Sequence, residues 1–155
     1  MNKLFFKNKF RNIAIILMIA IFFMADRFLK QLAMSSQNPL SLIGSVFTFT
    51  FTPNYFIAFS LPISGIILEG AIFILIVLMV VLFFYLLIKK NITFLFLGLT
   101  AILLGSISNF IDRIKFGYVI DYLYLKHFTV FNLADVLIVG GSILIFFYLN
   151  KKTNR

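Results

Sequence analysis

The chain carries five carboxylates (Asp26, Glu69, Asp112, Asp121 and Asp135), a single histidine, His127, and no cysteine. That inventory excludes a thiol nucleophile, a disulfide and any cysteine-bound metal, and one imidazole does not build a histidine zinc site. Ser60, Ser106, Ser108 and Ser142 have no evident histidine partner, and a triad is defined by geometry rather than by the presence of its members. His127 reads as a solvent or headgroup contact. No glycine-rich phosphate loop occurs. Carboxylates remain. Two brought close together do not both ionise readily, so one pKa rises and the pair shares a proton. The ionised member draws a proton from water while the protonated member polarises a carbonyl. Such a pair cuts an amide without metal, thiol or imidazole, and no cofactor is expected.

Spacing leaves Asp112, Asp121 and Asp135 as the main candidates for the pair. Asp112 precedes Arg113, and a carboxylate beside a guanidinium is readily taken up in an ion pair. Asp26 has Lys30 at i+4, which reads as a supporting salt bridge. Asp121 and Asp135 have no adjacent basic residue. This favours them without excluding pairings through Asp112. Asn109 and Asn132 each stand three residues before an aspartate, placed to hold a carboxylate or a substrate amide. Asn132, just before Leu133, reads equally well as a helix N-cap.

These residues must be positioned by elements that live in lipid. The chain has 155 residues, 62% hydrophobic and 12% charged, with 22 phenylalanines. A soluble domain is nearer half apolar and a quarter charged. The expectation is an all-α polytopic membrane protein, one membrane domain over residues 1–155. Its four transmembrane helices fall at about 13–33, 67–88, 93–111 and 133–149, each near the ~20 residues that cross a bilayer. The first has 13 uninterrupted apolar residues, Ile13 to Ala25. It imitates a cleavable signal peptide, but Asp26-Arg27-Phe28-Leu29-Lys30 is a poor cleavage region, so it reads as an uncleaved helix.

The charge of +9 sits in short clusters between apolar runs, which argues for membrane topology and against nucleic acid. The tails and the second loop hold Lys3, Lys7, Lys9, Arg11, Lys89, Lys90, Lys151, Lys152 and Arg155. Both termini are therefore expected to be cytoplasmic. Outer loops follow at about 34–66 and 112–132. All five acids then fall at the outer ends of helices or in outer loops. Ionisable groups at membrane depth usually mark function, which makes the outer surface the active layer. The inner halves of the spans carry no charge, which disfavours an ion relay or transporter.

In the first outer loop, Phe47-Thr48-Phe49-Thr50-Phe51-Thr52 alternates with the period of a half-buried strand. Pro53 stops it or marks an edge, and Asn54 to Leu61 is placed to pair back as a hairpin. The sheet is expected on the bilayer surface with its Phe side chains toward lipid or substrate. Small residues on helix three (Gly98, Ala101, Gly105, Ser106, Ser108) and helix four (Gly140, Gly141, Ser142) allow close approach of the two.

The chain resembles the lipoprotein signal peptidases (signal peptidase II) over nearly its whole length. Asp26 to Lys30 is similar to the family's Asp-x-x-x-Lys at the end of helix one. Asn54-Tyr55-Phe56-Ile57-Ala58-Phe59-Ser60 resembles its Asn-x-Gly-x-Ala-Phe-Ser segment. Gly105 to Arg113 with Val119-Ile120-Asp121-Tyr122 resembles its third block, and Phe131-Asn132-Leu133-Ala134-Asp135 its fourth. The last two blocks together carry the specificity. Phe56 departs from the family's glycine, and no proline precedes Phe131-Asn132.

The resemblance implies that Asp121 and Asp135 are the catalytic pair. It implies support or substrate positioning for Asn54, Asn109, Arg113, Asn132 and Ala134, and structural polar roles for Asp26, Lys30 and Asp112. It implies no metal or cofactor, and a β-cradle on the outer face. The implied partners are membrane lipids and a prolipoprotein carrying diacylglycerol on its lipobox cysteine, cut just before that cysteine. A monomer in the bacterial cytoplasmic membrane, with its active site at the outer face, is expected.

Overall fold

The computed structural model describes residues 2–36, 38–55, 65–89 and 93–153. The chain runs α1 (Asn2–Ser35), β1 (Leu40–Ile43), β2 (Phe47–Asn54), α2 (Ile66–Ile88), α3 (Phe94–Phe116), β3 (Val119–Leu125), β4 (Thr129–Phe131) and α4 (Leu133–Thr153). Four stretches, Asn12–Ser35, Ile66–Ile88, Phe94–Phe116 and Leu133–Lys151, are long and apolar enough to cross a membrane. Their outward faces carry large apolar side chains such as Ile67, Ile88, Phe146 and Phe147, which suits a lipid solvent.

Helix α3 is the centre of the bundle. Half of its span is buried, against 6% for α2. It packs on α1, α2 and most extensively on α4, whereas α2 meets the other helices mainly through α3. Three glycines, Gly98, Gly105 and Gly141, close the α3–α4 seam. A Cβ on Gly105 would lie 2.5 Å from the Ala134 carbonyl oxygen, and one on Gly141 would lie 2.5 Å from that of Gly98. The small residues of α4 do not act together. Gly140 faces open space, and exposed Ser142 bonds back to Ile138 O of its own helix.

Helix α3 continues to Phe116, past the end at about 111 expected from the sequence. Asp112 and Arg113 are therefore helical and buried rather than in a loop. The helix stops at Gly117, whose φ of 77° is left-handed and whose N–H donates to Arg113 O, a glycine C-cap.

The strands join the same ends of the helices and form one antiparallel sheet, β1-β2-β3-β4. The Phe/Thr segment is β2, as its alternation predicts, but its partners differ from a local return. It pairs with β1 before it and with β3 far along the chain, Phe49 opposite Leu123 and Thr52 opposite Asp121. Pro53 does not stop the strand; it pairs with Ile120, on a stretch of β2 that β1 does not reach. Residues 56–61 of the expected hairpin, including most of the second motif, lie outside the described residues, as do Lys90 and Arg155. Phe49 does not point to lipid. It is buried with Ala33 and Tyr122, its ring 5.5 Å from that of Tyr122. An irregularity between Phe49 and Thr52 breaks the alternation beyond it.

Candidate active site

The buried polar residues begin on α1. Ile19, Asp26, Lys30 and Ala33 are buried at helical spacing on one face. That face turns toward α3. Lys30 Nζ lies 3.2 Å from Asp26 and 2.7 Å from Asp112 Oδ2. Arg27 Nη1 lies 2.6 Å from Asp112 Oδ1 and also donates to Ser108 O. Asp112 is thus paired with two cations of α1. Its Oδ2 also accepts the Ile120 N–H, which ties β3 to the cluster. A buried charge is tolerated only when paired and hydrogen-bonded in this way.

The start of α4 is held by three different parts of the chain. Leu133 N–H donates to the Tyr122 hydroxyl of β3, Ala134 N–H to Asp26 Oδ1 of α1, and Asp135 N–H to Asn132 Oδ1. The orphan donors of a helix N-terminus are satisfied one by one. Asp135 in turn accepts the Asn132 N–H, so Asn132 and Asp135 form a capping box. Asp26 also accepts from Ser108 Oγ at 2.6 Å and from the Tyr122 hydroxyl at 2.9 Å. Burial, then the charge of Asp26, pushes the Tyr122 phenol up, which keeps its proton available to Asp26.

The two aspartates meet around Asn132. Its side-chain nitrogen donates to Asp121 Oδ1 at 2.6 Å while its oxygen caps Asp135. One amide therefore performs both roles that the sequence left open. Asn54 of β2 donates to Asp121 Oδ2 at 2.9 Å, and Asn109 of α3 donates to Asp135 Oδ1 at 2.8 Å. Asn109 Oδ1 accepts from Lys30 at 2.7 Å, which orients its amide toward Asp135. Asp121 is only 2% exposed. Burial first, then the charge of Asp135, lifts its pKa to about 7, against the pull of the two asparagines and of Lys30. A buried carboxylate of that pKa beside a second one is matched to acid–base work near neutrality.

Of the residues named from the sequence, Asp121, Asp135, Asn54, Asn109 and Asn132 form this inner group. Asp26, Lys30, Asp112 and the Ala134 backbone support it from behind. Arg113 is buried on α3; the charges acting on it are Glu69 first, then Asp121, Asp135 and Asp112. His127 is elsewhere, at the exposed β3–β4 turn with a φ of 65°. Sequence reasoning passed over Arg27, Ser108 and Tyr122 as members of the network. Each adjoins a residue that was named (Asp26, Asn109 and Asp121), and that adjacency was the available signal.

A polytopic membrane bundle with two amide-held aspartates at the sheet end of its helices defines a class of membrane enzyme. A family model described as Signal peptidase (SPase) II matches residues 18–151, and the chain belongs to that family. A lipoprotein signal peptidase of Halothermothrix orenii is 34% identical over 140 residues, covering 86% of this chain and 92% of that protein. One of Clostridium tetani is 34% identical over 149 residues, covering 88% and 92%. A solved bacterial membrane enzyme superposes with a TM-score of 0.72 at 26% identity, covering 92% of this chain and 89% of its own.

Proposed function

We propose that this protein is an intramembrane aspartyl endopeptidase that removes the signal peptide of diacylglyceryl-modified prolipoproteins, cutting just before the lipidated cysteine. The observation that carries the reading is the single Asn132 side chain bonded to Asp121 and to the Asp135 backbone, which holds both carboxylates on one site. The names of the relatives supply the substrate class.

Asp121 and Asp135 share one proton. The ionised member takes a proton from water, whose oxygen attacks the scissile carbonyl carbon. The protonated member polarises that carbonyl and a proton passes to the nitrogen as the C–N bond breaks, leaving a carboxylic acid and the free amine of the lipidated cysteine. Asn54, Asn109 and Asn132 fix the carboxylates, and Arg113 balances their charge. The pair lies at the outer membrane face, with both termini cytoplasmic, in accord with the distribution of basic residues. Helices α2 and α4 flank α3 without extensive contact with each other, an arrangement that suits lateral entry of a signal helix from the bilayer. A mainly apolar groove of about 350 Å³ between α2 and α3, lined by Ile66, Gly70, Phe73, Phe110 and Ile114 with Glu69 among them, suits an acyl chain. Anchoring the diacyl group in lipid would hold the scissile bond in register, which is the benefit of orientation in catalysis. The enzyme acts as a monomer.

The test is cleavage of a diacylglyceryl-modified prolipoprotein by purified protein in detergent, with an unlipidated substrate as control. Wild type is expected to cut only the lipidated form, and Asp121→Asn and Asp135→Asn neither. Retained cleavage in either variant removes that residue from the pair.

A further inference from the structure

A second polar pocket opens at the sheet end of α1 and α3, with none of the aspartate pair or its asparagines in its wall. It has a volume of about 550 Å³, and its lining includes Arg27, Lys30, Gln31, Lys115, Met34 and Phe116. Three of these residues are cations and none is an acid. The acids nearby are already taken. Asp112 is paired with Arg27 Nη1 and Lys30, and Asp26 with Lys30. Two acids against Arg27 and Lys30 leave that cluster neutral.

Lys115 is exposed on the rim and forms no ion pair among the described residues, so it adds one uncompensated positive charge. Arg27 donates through Nη1, to Ser108 and Asp112. Among the described residues its Nε and Nη2 have no partner, and a quarter of its side chain is exposed. A guanidinium edge with free parallel donors is the shape that binds a phosphate bidentately.

We infer that this pocket holds the phosphate of a phospholipid, in the leaflet on the sheet side of the membrane. The phosphodiester would accept from the open edge of Arg27 and from Lys115, and its single negative charge equals the charge the cluster lacks. Gln31 of the pocket lining supplies a donor for glycerol oxygens. The acyl chains would run down exposed Phe28 and Met24 of α1, one and two turns below. An uncharged glycerol headgroup is favoured over choline, because Lys115 repels a quaternary ammonium. The diacylglyceryl group of the proposed substrate carries no phosphate, so this lipid is a resident and not a substrate. Arg27 is linked to the pair by the chain of contacts Arg27–Asp112–Lys30–Asn109–Asp135.

The test is native mass spectrometry of the full chain released from detergent after titration with phosphatidylglycerol, phosphatidylcholine or inorganic phosphate. One phosphatidylglycerol is expected to be retained in preference to phosphatidylcholine. At ~1 kcal/mol per basic residue, Lys115→Gln should weaken retention about fivefold and Lys115→Glu about twenty-five-fold. Lys126→Gln at the distant β3–β4 turn should not change it. Arg27→Lys, which keeps a cation for Asp112 but removes the fork, should also weaken it. Equal retention by Lys115→Glu, or no preference between the two lipids, overturns the inference. Displacement of the lipid by inorganic phosphate also overturns it, in favour of a soluble-anion site. The Asp121→Asn protein should retain the lipid like wild type, so failure of the peptidase reading leaves this result unaffected.

Discussion

Replacing Gly105 by alanine should disable the site through a single methyl group. The added Cβ would lie 2.5 Å from the Ala134 carbonyl oxygen, 2.9 Å from Ile138 Cγ1 and 3.3 Å from Leu137 Cβ. Ordinary contact begins near 3.4 Å, so the helices must part by about 0.9 Å at that level. The obstacle is backbone, which no rotamer change relieves. Ala134 directly precedes Asp135, and Asn109 lies one turn beyond Gly105 on α3. Parting the helices therefore stretches the 2.8 Å bond from Asn109 to Asp135 beyond useful length. Overpacking of this kind costs about 1–3 kcal/mol of stability, and a misplacement near 1 Å costs about 100-fold in rate. The control is Gly140→Ala, whose Cβ meets nothing within 4 Å; it should be neutral or stabilise α4 by up to ~1 kcal/mol. Both variants would be followed by thermal unfolding in detergent and by cleavage of a lipidated prolipoprotein. A Gly105→Ala protein with wild-type rate and midpoint would show that the α3–α4 seam does not set the carboxylate geometry.

Three further outcomes follow from the network. Asp121 binds its proton more tightly folded (about 7) than unfolded (3.8), so its contribution is fully present below 3.8 and is lost as pH rises toward 7. That amounts to about 4 kcal/mol at ~1.4 kcal/mol per pKa unit; the unfolding midpoint should fall across this window, and cleavage should decline above pH ~7 if Asp121 holds the shared proton. A midpoint flat over that range contradicts the assignment. Asn132→Ser keeps an N-cap oxygen but loses the donor to Asp121. Asn132 is fully buried and its nitrogen also donates to Asn109 Oδ1 and Ile120 O, so stability should fall by about 1–3 kcal/mol and the cleavage rate by ~10- to 100-fold, the equivalent of a 1.5–3 kcal/mol charged hydrogen bond. A wild-type cleavage rate for the folded Asn132→Ser protein would mean that capping is its whole role. Lys30→Met leaves Asp26 and Asp112 without their shared cation and should cost about 3–5 kcal/mol, read as a large drop in unfolding midpoint. An unchanged midpoint would mean that the cluster is solvated.

The sequence disclosed what rests on local spacing. The i+4 step from Asp26 to Lys30, the Phe/Thr alternation and the apolar spans each need only a short window. The cap at Asn132 was equally local. The limits of α3 were missed because Asp112-Arg113-Ile114-Lys115 reads as a polar loop; in the fold Arg27 and Lys30 neutralise Asp112 from another helix. Gly117 was the overlooked stop signal. The partner of β2 was illegible because β3 lies about 70 residues further on, and no local pattern encodes such a pairing. β1, four residues all exposed, has no alternation of burial to read. The support given by Ser108 and Tyr122 depends on three helices and a strand converging, which is a property of packing.

The first turn of α4 takes its hydrogen-bond partners from α1, from β3 and from the residue just before it. During synthesis α4 is the last of the four helices to leave the ribosome. Until it docks, Asp26 and Tyr122 lack the donors that complete their bonding, and Asp121 lacks both Asn132 and Asp135. In the proposed mechanism, proteolytic competence therefore arrives only with the final insertion step. On that reading a nascent chain stalled before Asn132 holds only one member of the pair and is an inert, zymogen-like intermediate.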